Sequence, residues 1–334
     1  MAGAAAPACH GCGEPVGATD SFCESCGAEL APPAVSDGGN GAPQTCEACS
    51  GGISADGYCE SCGRRVRTGR DHQEVDLGMV AGVTDRGLRH PRNEDAMALA
   101  TADTAAGSAV VAVVCDGVST SPRPDEASLA AARAAARVLL AAVRTGDDLL
   151  AASPAAVRAA AKAVAGMGAS AGQPGDSPAA TFVSAVLTSE AAVVCWLGDS
   201  RAYWLAAASG SAAQQLTRDD SVAEEMVAAG LLSEADALAS PQGHVVTRWI
   251  GADLKDPAPH VVRFEPPGPG ALLLCSDGLW NYQPEAAKLA ELALPAALTD
   301  PLGAVRTLVG FALDAGGTDN VTAVLAPYPP GGPA

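Results

Sequence analysis

The stretch from Val110 to Gly117, VVAVVCDG, indicates how this chain folds. The residues before its aspartate are apolar or thiol with no polar alternation, which is typical of a strand buried on both faces. The strand ends in Asp116, at the edge of the core, where the chain must turn and where ligands are commonly held. The same design recurs at Ala271–Gly278, ALLLCSDG, which carries Asp277 at its end.

Two more apolar segments place an aspartate at a strand end. The segment Val193–Leu197 runs into Gly198-Asp199-Ser200-Arg201, and Asp319 precedes the apolar run Val321–Ala326. Since Asp-Gly and Asp-Ser are ordinary turn sequences, each aspartate alone is most simply a turn residue. As a set, four aspartates at strand ends favour a metal site with oxygen ligands.

Composition and charge restrict the class of protein. The 334 residues are 48% hydrophobic and 17% charged, which predicts one large globular domain with additional segments. A formal net charge of −18 disfavours nucleic acid and acidic membrane surfaces as partners, because both would repel the chain. We find neither a long apolar run nor a basic and apolar leader, so we expect a cytoplasmic location.

Eight of the eleven cysteines lie in the first 62 residues as CxxC pairs. Two pairs make one four-thiolate set, which matches the ligand pattern of a tetrahedral structural Zn²⁺. The alternative, a disulfide cluster, is typical of exported proteins. Glycine follows the second cysteine of three pairs, where a zinc knuckle favours positive φ. The two sets are Cys9, Cys12, Cys23 and Cys26, and Cys46, Cys49, Cys59 and Cys62; the glycines are Gly13, Gly27 and Gly63.

The remaining thiols and the domain boundaries follow from the same pattern. Cys115, Cys195 and Cys275 lie in apolar strands, so we interpret them as small core residues.

Residues 1–70 hold four arginines and eight acids, so a protein partner for the zinc segments is favoured over nucleic acid, with a purely structural role as the alternative. We predict a zinc ribbon at 1–30, a flexible linker at 31–43, a zinc ribbon at 44–63, a linker at 64–74, the main domain at 75–327 and a tail at 328–334.

Within the main domain, we predict helices that Asp125 caps and that run to about Arg144, and from Pro154 to about Ala165. A loop at 166–178 and several strands follow, and residues 218–243 could form a mobile flap over a site. Because the strands do not alternate strictly with helices, the pattern predicts an α+β layered domain rather than a doubly wound parallel sheet.

Five short motifs occur in a fixed order along this domain. Together they resemble the metal-dependent protein serine/threonine phosphatases of the type 2C class, in their bacterial form, over about residues 75–326. The resemblance implies a four-layer αββα sandwich, in which two packed β-sheets are flanked by helices. The motifs are Asn93-Glu94-Asp95, Asp116-Gly117, Gly198-Asp199-Ser200-Arg201, Ser276-Asp277-Gly278 and Gly317-Thr318-Asp319-Asn320.

The resemblance also implies roles for these residues at a centre of Mn²⁺ or Mg²⁺. Asp116 would bridge two ions, Asp277 and Asp319 would complete one ion site, and Glu94 and the carbonyl of Gly117 would serve the other. Asp95 would hold water from outside the ligand set. A third ion, as in bacterial relatives, would bind Asp199 together with Asp277.

The chemistry agrees with this assignment. Two divalent ions lower the pKa of a shared water and neutralise phosphoryl oxygens, which suits the hydrolysis of phosphoserine and phosphothreonine in protein substrates. Two alternatives remain. One is a module of the same fold that binds phosphorylated partners without hydrolysing them, and the other is a zinc-ribbon nucleic-acid protein with an unrelated acidic domain, which the charge disfavours.

The sequence departs from the family pattern at the phosphate contact. Where the family commonly has an arginine that binds the substrate phosphate, this chain has His90, flanked by Arg89 and Arg92. Ser119 and Thr120 replace two glycines that often follow the Asp-Gly motif, and Val118 stands where animal members place a histidine. We therefore expect intact metal ligands and an altered grip on the phosphate.

Overall fold

The computed structural model describes residues 36, 45–46, 49–54, 58–63, 69–168, 177–207, 212–233, 236–237, 240, 243, 245–251 and 258–330. The chain divides into two units, Met1–Val35 and Ser36–Ala334, and all described residues belong to the second. The first predicted zinc ribbon, with Cys9, Cys12, Cys23, Cys26, Gly13 and Gly27, therefore lies outside the described residues.

The described residues contain antiparallel strands and helices arranged in layers. The strands are β1 (His72–Asp76), β2 (Ala81–Asp85), β3 (Asp95–Thr104), β4 (Gly107–Asp116), β5 (Ala179–Ala180), β6 (Phe182–Leu187), β7 (Ala192–Leu197), β8 (Arg201–Ala206), β9 (Gln214–Gln215), β10 (Ile250–Gly251), β11 (His260–Phe264), β12 (Gly270–Cys275) and β13 (Val321–Tyr328). The helices are α1 (Pro124–Thr145), α2 (Leu149–Ala165), α3 (Val222–Ala228), α4 (Asp277–Trp280), α5 (Ala286–Ala297) and α6 (Pro301–Asp314).

Two antiparallel sheets form the centre of the domain. One has six strands in the order β1-β2-β13-β12-β8-β9, and the other has five in the order β11-β7-β6-β4-β3. The short strands β5 and β10 pair with each other. A shared apolar core joins the two large sheets, and it includes Val110 and Val114 of one sheet and Leu272 and Val324 of the other. The predicted α+β class with two packed sheets is confirmed.

Strand β12 shows why its sequence lacks polar alternation. Leu272 and Leu274 point into the core between the sheets, whereas Leu273 and Cys275 pack with α5 and α6 through side chains such as Leu308. Because successive side chains of a strand face opposite layers, a strand covered on both sides must be apolar throughout. Helices α1 and α2 cover the five-stranded sheet. The layers are therefore helices, sheet, sheet and helices.

Two predicted helix starts were wrong by a few residues. The N-cap of α1 is Arg123 in the left-handed region, with φ of 51°, and Pro124 takes the first helical position, so Asp125 lies in the first turn instead of capping it. Helix α2 begins at Leu149 because the side chain of Asp148 accepts a hydrogen bond from the backbone N–H of Leu150. Its Pro154 lies inside the helix.

The edges of the domain extend beyond the predicted boundaries. Strand β1 begins at His72, inside the predicted 64–74 linker, and β13 reaches Tyr328 in the predicted tail. Ser36, from the predicted 31–43 linker, exchanges backbone hydrogen bonds of 2.9 and 2.8 Å with Leu99 of the edge strand β3. Among the described residues we find no helix that is both long and apolar enough to cross a bilayer.

Candidate active site

One cavity of about 540 Å³ collects the aspartates that the sequence analysis singled out. Four carboxylates, several hydroxyl groups and a few apolar side chains line it, and the described part of its lining includes no lysine or arginine. The lining residues are Asp116, Gly117, Val118, Ser119, Thr120, Ser121, Ser177, Ala179, Thr181, Asp199, Val245, Val246, Trp249, Asp277 and Asp319.

The ends of four elements bring these carboxylates together. Asp116 ends β4, and its backbone N–H donates to Thr181 Oγ1 at 3.1 Å. Asp199 follows β7, and its carbonyl accepts a hydrogen bond from Trp280 Nε1 at 2.9 Å. Asp277 begins α4, and Asp319 lies just before β13. The predicted convergence of all four strand-end aspartates is thus present in the structure.

Two glycines allow the backbone to approach closely around the cavity. A Cβ at Gly117 would lie 2.4 Å from the carbonyl oxygen of Pro124 and 2.8 Å from that of Glu94. A Cβ at Gly278 would lie 1.9 Å from the carbonyl oxygen of Asn320. Both distances are far below contact distance, so only glycine fits after Asp116 and Asp277 without a shift of the backbone.

Asp95 lies beneath the cavity and is 2% exposed. Its Oδ2 accepts hydrogen bonds from Ser276 Oγ and Thr322 Oγ1, both at 2.7 Å. Its Oδ1 and the Oδ1 of Asp277 are buried without a hydrogen-bond partner among the described residues. Buried oxygens of this kind are costly unless a proton or a cation satisfies them.

Burial and mutual repulsion raise the pKa values of these acids. Loss of solvation, with repulsion from Asp319 and Asp277, raises the pKa of Asp95 to about 7. Loss of solvation and the charge of Asp319 raise the pKa of Asp277 to about 6. The pKa values of Asp116 and Asp199 rise well above the usual range, again chiefly through burial. Several acids that surround one cavity, with no basic residue in the part of its lining that the structure describes, fit divalent cations held by oxygen.

Both carboxylate oxygens of Glu94 have hydrogen-bond partners within the protein. It is 4% exposed, its Oε1 accepts from Arg92 Nε at 2.9 Å, and its Oε2 accepts from Ser119 Oγ at 2.5 Å. Its backbone N–H donates to Asn320 Oδ1 at 2.7 Å. Ser119, at one of the positions where the family often has glycine, thus fixes the carboxylate of Glu94.

The three basic residues predicted to bind phosphate occupy different places. His90 Nε2 lies 3.1 Å from Asp319 Oδ1, at the edge of the cavity. Arg92 pairs with Glu94 and lies 3.9 Å from Asp125. Arg89 is exposed and makes no hydrogen bond or ion pair with any residue that the structure describes. Of these three residues, only His90 directly contacts a residue that lines the cavity, namely Asp319.

Sequence reasoning missed residues that organise the site. Asn320 joins the start of β13 to the 86–94 connection between β2 and β3, because its Nδ2 donates to the carbonyls of Arg86 and Arg92 while its Oδ1 accepts from the backbone N–H of Glu94. Its place beside Asp319 in a quoted motif was the available signal. Trp249, one of four tryptophans, gave a weaker signal as an aromatic residue between apolar and polar positions. Nothing local indicated that Thr181 contacts Asp116.

The second predicted cysteine set forms a separate cluster. The sulfur atoms of Cys46, Cys49, Cys59 and Cys62 all lie within 4.8 Å of one another. None of these four cysteines forms a disulfide. The Sγ atoms of Cys46 and Cys62 are 3.8 Å apart. Thiolates bound tetrahedrally at a Zn–S distance of about 2.3 Å would be separated by about 3.8 Å. The spacing therefore fits one zinc ion.

The turns around this cluster also have knuckle geometry. Gly63, after Cys62, has φ of 66°, as predicted, and Ser50, after Cys49, has φ of 57° although it is not glycine. Hydrogen bonding from the backbone of Cys62 lowers the pKa of the Cys59 thiol to about 6. The hydrogen bond that Cys49 shares with Cys59 acts in the opposite direction on Cys49, whose pKa is raised to about 12. A thiolate is the form that binds metal, so the loop favours the ligand state of Cys59 but not that of Cys49.

Comparison with known proteins identifies the family. A sequence model described as protein phosphatase 2C matches residues 89–300. The serine/threonine phosphatase stp of Listeria innocua is 33% identical over 146 residues, which cover 43% of this chain and 55% of that protein. The serine/threonine protein phosphatase PstP of Mycobacterium tuberculosis is 29% identical over 253 residues, covering 74% of this chain and 44% of that protein. The chain thus spans about half the length of the curated relatives it matches.

Solved structures are similar across the same region. The PPM Ser-Thr phosphatase MsPP from Mycobacterium smegmatis, in complex with cacodylate, has a TM-score of 0.59 and 27% identity, covering 75% of this chain and 99% of that one. The catalytic domain of PstP in complex with two manganese ions has a TM-score of 0.53 and 25% identity, covering 74% and 96%. Since the matched sequence model covers more than half of the 334 residues, the chain belongs to the protein phosphatase 2C family.

Proposed function

We propose that this chain is a Mn²⁺- or Mg²⁺-dependent phosphatase that hydrolyses phosphoserine and phosphothreonine in proteins. The observation that carries the proposal is the cavity that Asp116, Asp199, Asp277 and Asp319 line, with no basic residue among the described residues of its lining. The unpartnered Oδ1 atoms of Asp95 and Asp277 support it, because these buried oxygens need a positive charge or a proton.

The ligand assignment follows the family pattern and stays within this proposal. Asp116 would bridge two ions, with Asp277 and Asp319 at one and Glu94 and the Gly117 carbonyl at the other; Asp199, with Asp277, would hold a third. Two such ions supply a water of lowered pKa and neutralise charge on the phosphoryl oxygens.

Neighbouring side chains fix the orientation of the acids before any ion binds. Asn281 Nδ2 donates to Asp277 Oδ2 at 3.1 Å, and Ser119 and Arg92 hold the two oxygens of Glu94. Ser276 and Thr322 fix Asp95 through Oδ2, which leaves Oδ1 to accept a hydrogen bond from water. Such preorganisation lowers the cost of assembling the reacting groups.

For the substrate phosphate, we propose His90 as the contact, because it alone of the three basic residues lies beside Asp319. A protonated histidine offers one charged donor where an arginine offers two. Arg92 would have to leave Glu94 before it could take this role, and Arg89 would have to turn inwards from its exposed position.

For the cysteine clusters, we infer structural zinc. The convergence of Cys46, Cys49, Cys59 and Cys62 supports one Zn²⁺, and the equal CxxC pattern of Cys9, Cys12, Cys23 and Cys26 extends the proposal to a second. We propose that the zinc segments recruit a protein partner or regulate the enzyme. A cytoplasmic location and the lack of a nucleic-acid partner stay predictions from composition.

A phosphatase assay on a phosphothreonine peptide, with and without Mn²⁺, tests the main proposal. We expect phosphate release that requires Mn²⁺ or Mg²⁺, stops with a chelator and is restored by Mn²⁺ but not by Zn²⁺. Equilibrium binding of the same peptide tests the alternative. If the peptide binds tightly but no phosphate is released with any divalent metal, the chain is a phosphopeptide-binding module and not an enzyme.

A further inference from the structure

Part of the cavity lining is apolar and has no role in the proposed metal centre. Val245, Val246 and Trp249 line the same cavity as the four aspartates, and we call these three residues the apolar wall. Val245 is 49% exposed, and Trp249 is partly buried. These residues follow the 218–243 segment that the sequence analysis interpreted as a mobile flap.

Backbone pairing fixes the apolar wall at both ends. Val246 forms a bridge with Ser221, and the N–H of Val222 donates to the carbonyl of Val245 at 2.9 Å. At the other end, Ile250 in β10 pairs with Ala180 in β5, which itself bridges Gly117 next to Asp116. The wall is therefore a fixed part of the site.

A side-chain clamp joins the wall to the turn that carries Asp199. Arg248 Nη1 lies 3.3 Å from Asp220 Oδ1, and Arg248 Nη2 donates to the carbonyl of Ala258. Asp220 Oδ2 accepts the N–H of Gly198 at 3.0 Å, and Asp220 Oδ1 also lies 2.9 Å from His260 Nε2. The wall and the carboxylates thus keep one relative position.

This combination has a consequence for the substrate. A phosphate held beside the aspartates places the neighbouring residues of its peptide against the rest of the cavity lining. Among the described residues, that lining offers apolar surface and no basic group, so it favours a large apolar side chain and opposes an acidic one. We propose that the apolar wall selects phosphoserine and phosphothreonine sites that have a large apolar residue directly next to the phosphorylated one.

The inference rests on the proposed function, and three phosphothreonine peptides test it. They carry leucine, alanine or glutamate on both sides of the phosphorylated residue. With Mn²⁺, we expect kcat/KM for the leucine peptide to exceed that for the alanine peptide about tenfold, the scale on which a pocket discriminates small apolar differences. The difference should lie mainly in KM, and the glutamate peptide should be the poorest.

Variants assign the preference to the wall. Trp249→Ala and Val245→Ala should each lower the leucine-to-alanine ratio to about threefold or less. Leu231→Ala is the matched control, because Leu231 is 71% exposed and does not line the cavity; it should keep the full ratio. The ratio does not depend on the fraction of folded enzyme, so partial unfolding of Trp249→Ala cannot imitate the effect.

The outcomes separate the two proposals. The inference is overturned if Mn²⁺-dependent turnover shows equal kcat/KM for the leucine and alanine peptides. It is also overturned if both wall variants retain the preference for leucine. Either result would still support the proposed phosphatase activity. If no peptide is hydrolysed, the proposed function fails, and equilibrium binding of the labelled peptides decides the inference. Tighter binding of the leucine peptide that Trp249→Ala abolishes supports it, and equal binding overturns it.

Discussion

The carboxylate cavity and the Cys46–Cys62 cluster are built in opposite ways. In the cavity, residues far apart in sequence meet: Asp95 and Thr322 share a 2.7 Å hydrogen bond across 227 positions. In the cluster, Cys46 and Cys62 are 16 positions apart. The cavity therefore requires the complete two-sheet fold, whereas the cluster comes from one short stretch of the chain.

The two sites also differ in how they treat protons. Burial raises the pKa of Asp95 to about 7. In the thiol loop, hydrogen bonding lowers the pKa of Cys59 to about 6 and raises that of Cys49 to about 12, so one thiol of this pair releases its proton while the other keeps it. Oxygen ligands suit Mn²⁺ and Mg²⁺, and thiolates suit Zn²⁺. The comparison predicts two metal populations that respond separately to mutation and chelation.

The largest expected effect is the loss of turnover on neutralising a cavity acid. Asp277→Asn and Asp319→Asn remove one negative charge each while keeping the side-chain shape, so we expect Mn²⁺-dependent kcat to fall about 100-fold or more. Steady-state kinetics and thermal unfolding measure activity and folding separately. Asp314→Asn, an exposed change at the end of α6, is the control and should retain full activity. Near-full activity of either cavity variant would remove that residue from the proposed site.

The second effect is stabilisation by Mn²⁺ that increases with pH. In the fold, the pKa values of Asp95 and Asp277 are raised to about 7 and about 6, above the value of about 3.8 for an unfolded aspartate. Below pH 3.8, the protons on these two acids therefore stabilise the metal-free fold in full. This stabilisation is lost as pH rises through 6 to 7, where Mn²⁺ can replace the protons. At 100 times its Kd, Mn²⁺ should stabilise the fold by about 2.7 kcal/mol.

Thermal unfolding at pH 5.5 and pH 8 checks this prediction. The shift of the unfolding temperature on adding Mn²⁺ should be clearly larger at pH 8, and Asp277→Asn should reduce it. An equal shift at both pH values would mean that protons and Mn²⁺ do not compete for these acids.

The third effect is the loss of one zinc without loss of catalysis. Wild-type protein should hold about two zinc ions after dialysis against a weak chelator, and Cys59→Ser should hold about one, because three thiolates bind zinc less tightly than four. Activity with Mn²⁺ should change less than about twofold if the two sites are independent. Cys195→Ala, a change at a buried strand thiol, is the control for zinc content. Wild-type protein without zinc would contradict the thiolate assignment.

The comparison also explains what the sequence could predict. The cluster of Cys46, Cys49, Cys59 and Cys62 was predictable because its four thiols lie close together in the chain in a regular spacing. The strands β4 and β12 were predictable because burial on both faces leaves an unbroken apolar run. Their aspartates indicated a site only as a set, through an order of motifs shared with a family.

The unpredicted features all depend on contacts between distant segments. The clamp at Arg248 needs Asp220 and His260, which come together only after β10 and β11 have paired with their neighbours. The helix start at Leu149 was missed because Pro154 is a stronger start signal in isolation than the Asp148 cap. Contacts of this kind depend on tertiary packing, which local patterns do not encode.

A smaller effect concerns His90, which is the basic residue that contacts Asp319 at the edge of the cavity. Because an arginine offers two charged donors where a histidine offers at most one, His90→Arg should lower KM for a phosphopeptide several-fold. Steady-state kinetics on His90→Arg, His90→Ala, Arg89→Ala and Arg92→Ala separates the candidates. If His90→Ala raises KM only slightly and Arg89→Ala or Arg92→Ala raises it strongly, that arginine is the phosphate contact. If the kinetic constants are unchanged in all four variants, none of the three residues binds the phosphate.

The smallest effect comes from a buried carboxylate that has its own cation, in contrast to the cavity acids. Asp85 Oδ2 lies 2.7 Å from His72 Nδ1, and Glu74 Oε1 lies 3.2 Å from His72 Nε2. The hydrogen bond to Asp85 is the main reason that the pKa of His72 is raised. A histidine whose pKa is higher in the fold than in the unfolded chain stabilises the fold when it is protonated. This stabilisation is fully present below the pKa of about 6.5 of the unfolded chain, and it is lost as pH rises through the pKa of the folded protein.

His72→Gln, which is neutral at every pH, measures this contribution. Since the His72 side chain is 41% exposed, solvent screening should limit its cost to less than about 1 kcal/mol at pH 5.5. The cost should fall as pH rises through the folded pKa of His72 towards pH 8.5, because the wild-type histidine loses its charge over that range. Urea unfolding at both pH values gives the two free energies, and Lys288→Gln, which breaks the exposed pair with Glu291, should have the same effect at both. A His72→Gln cost that does not change with pH would show that the pair stabilises the fold through packing, because a contribution from charge must vanish with the charge.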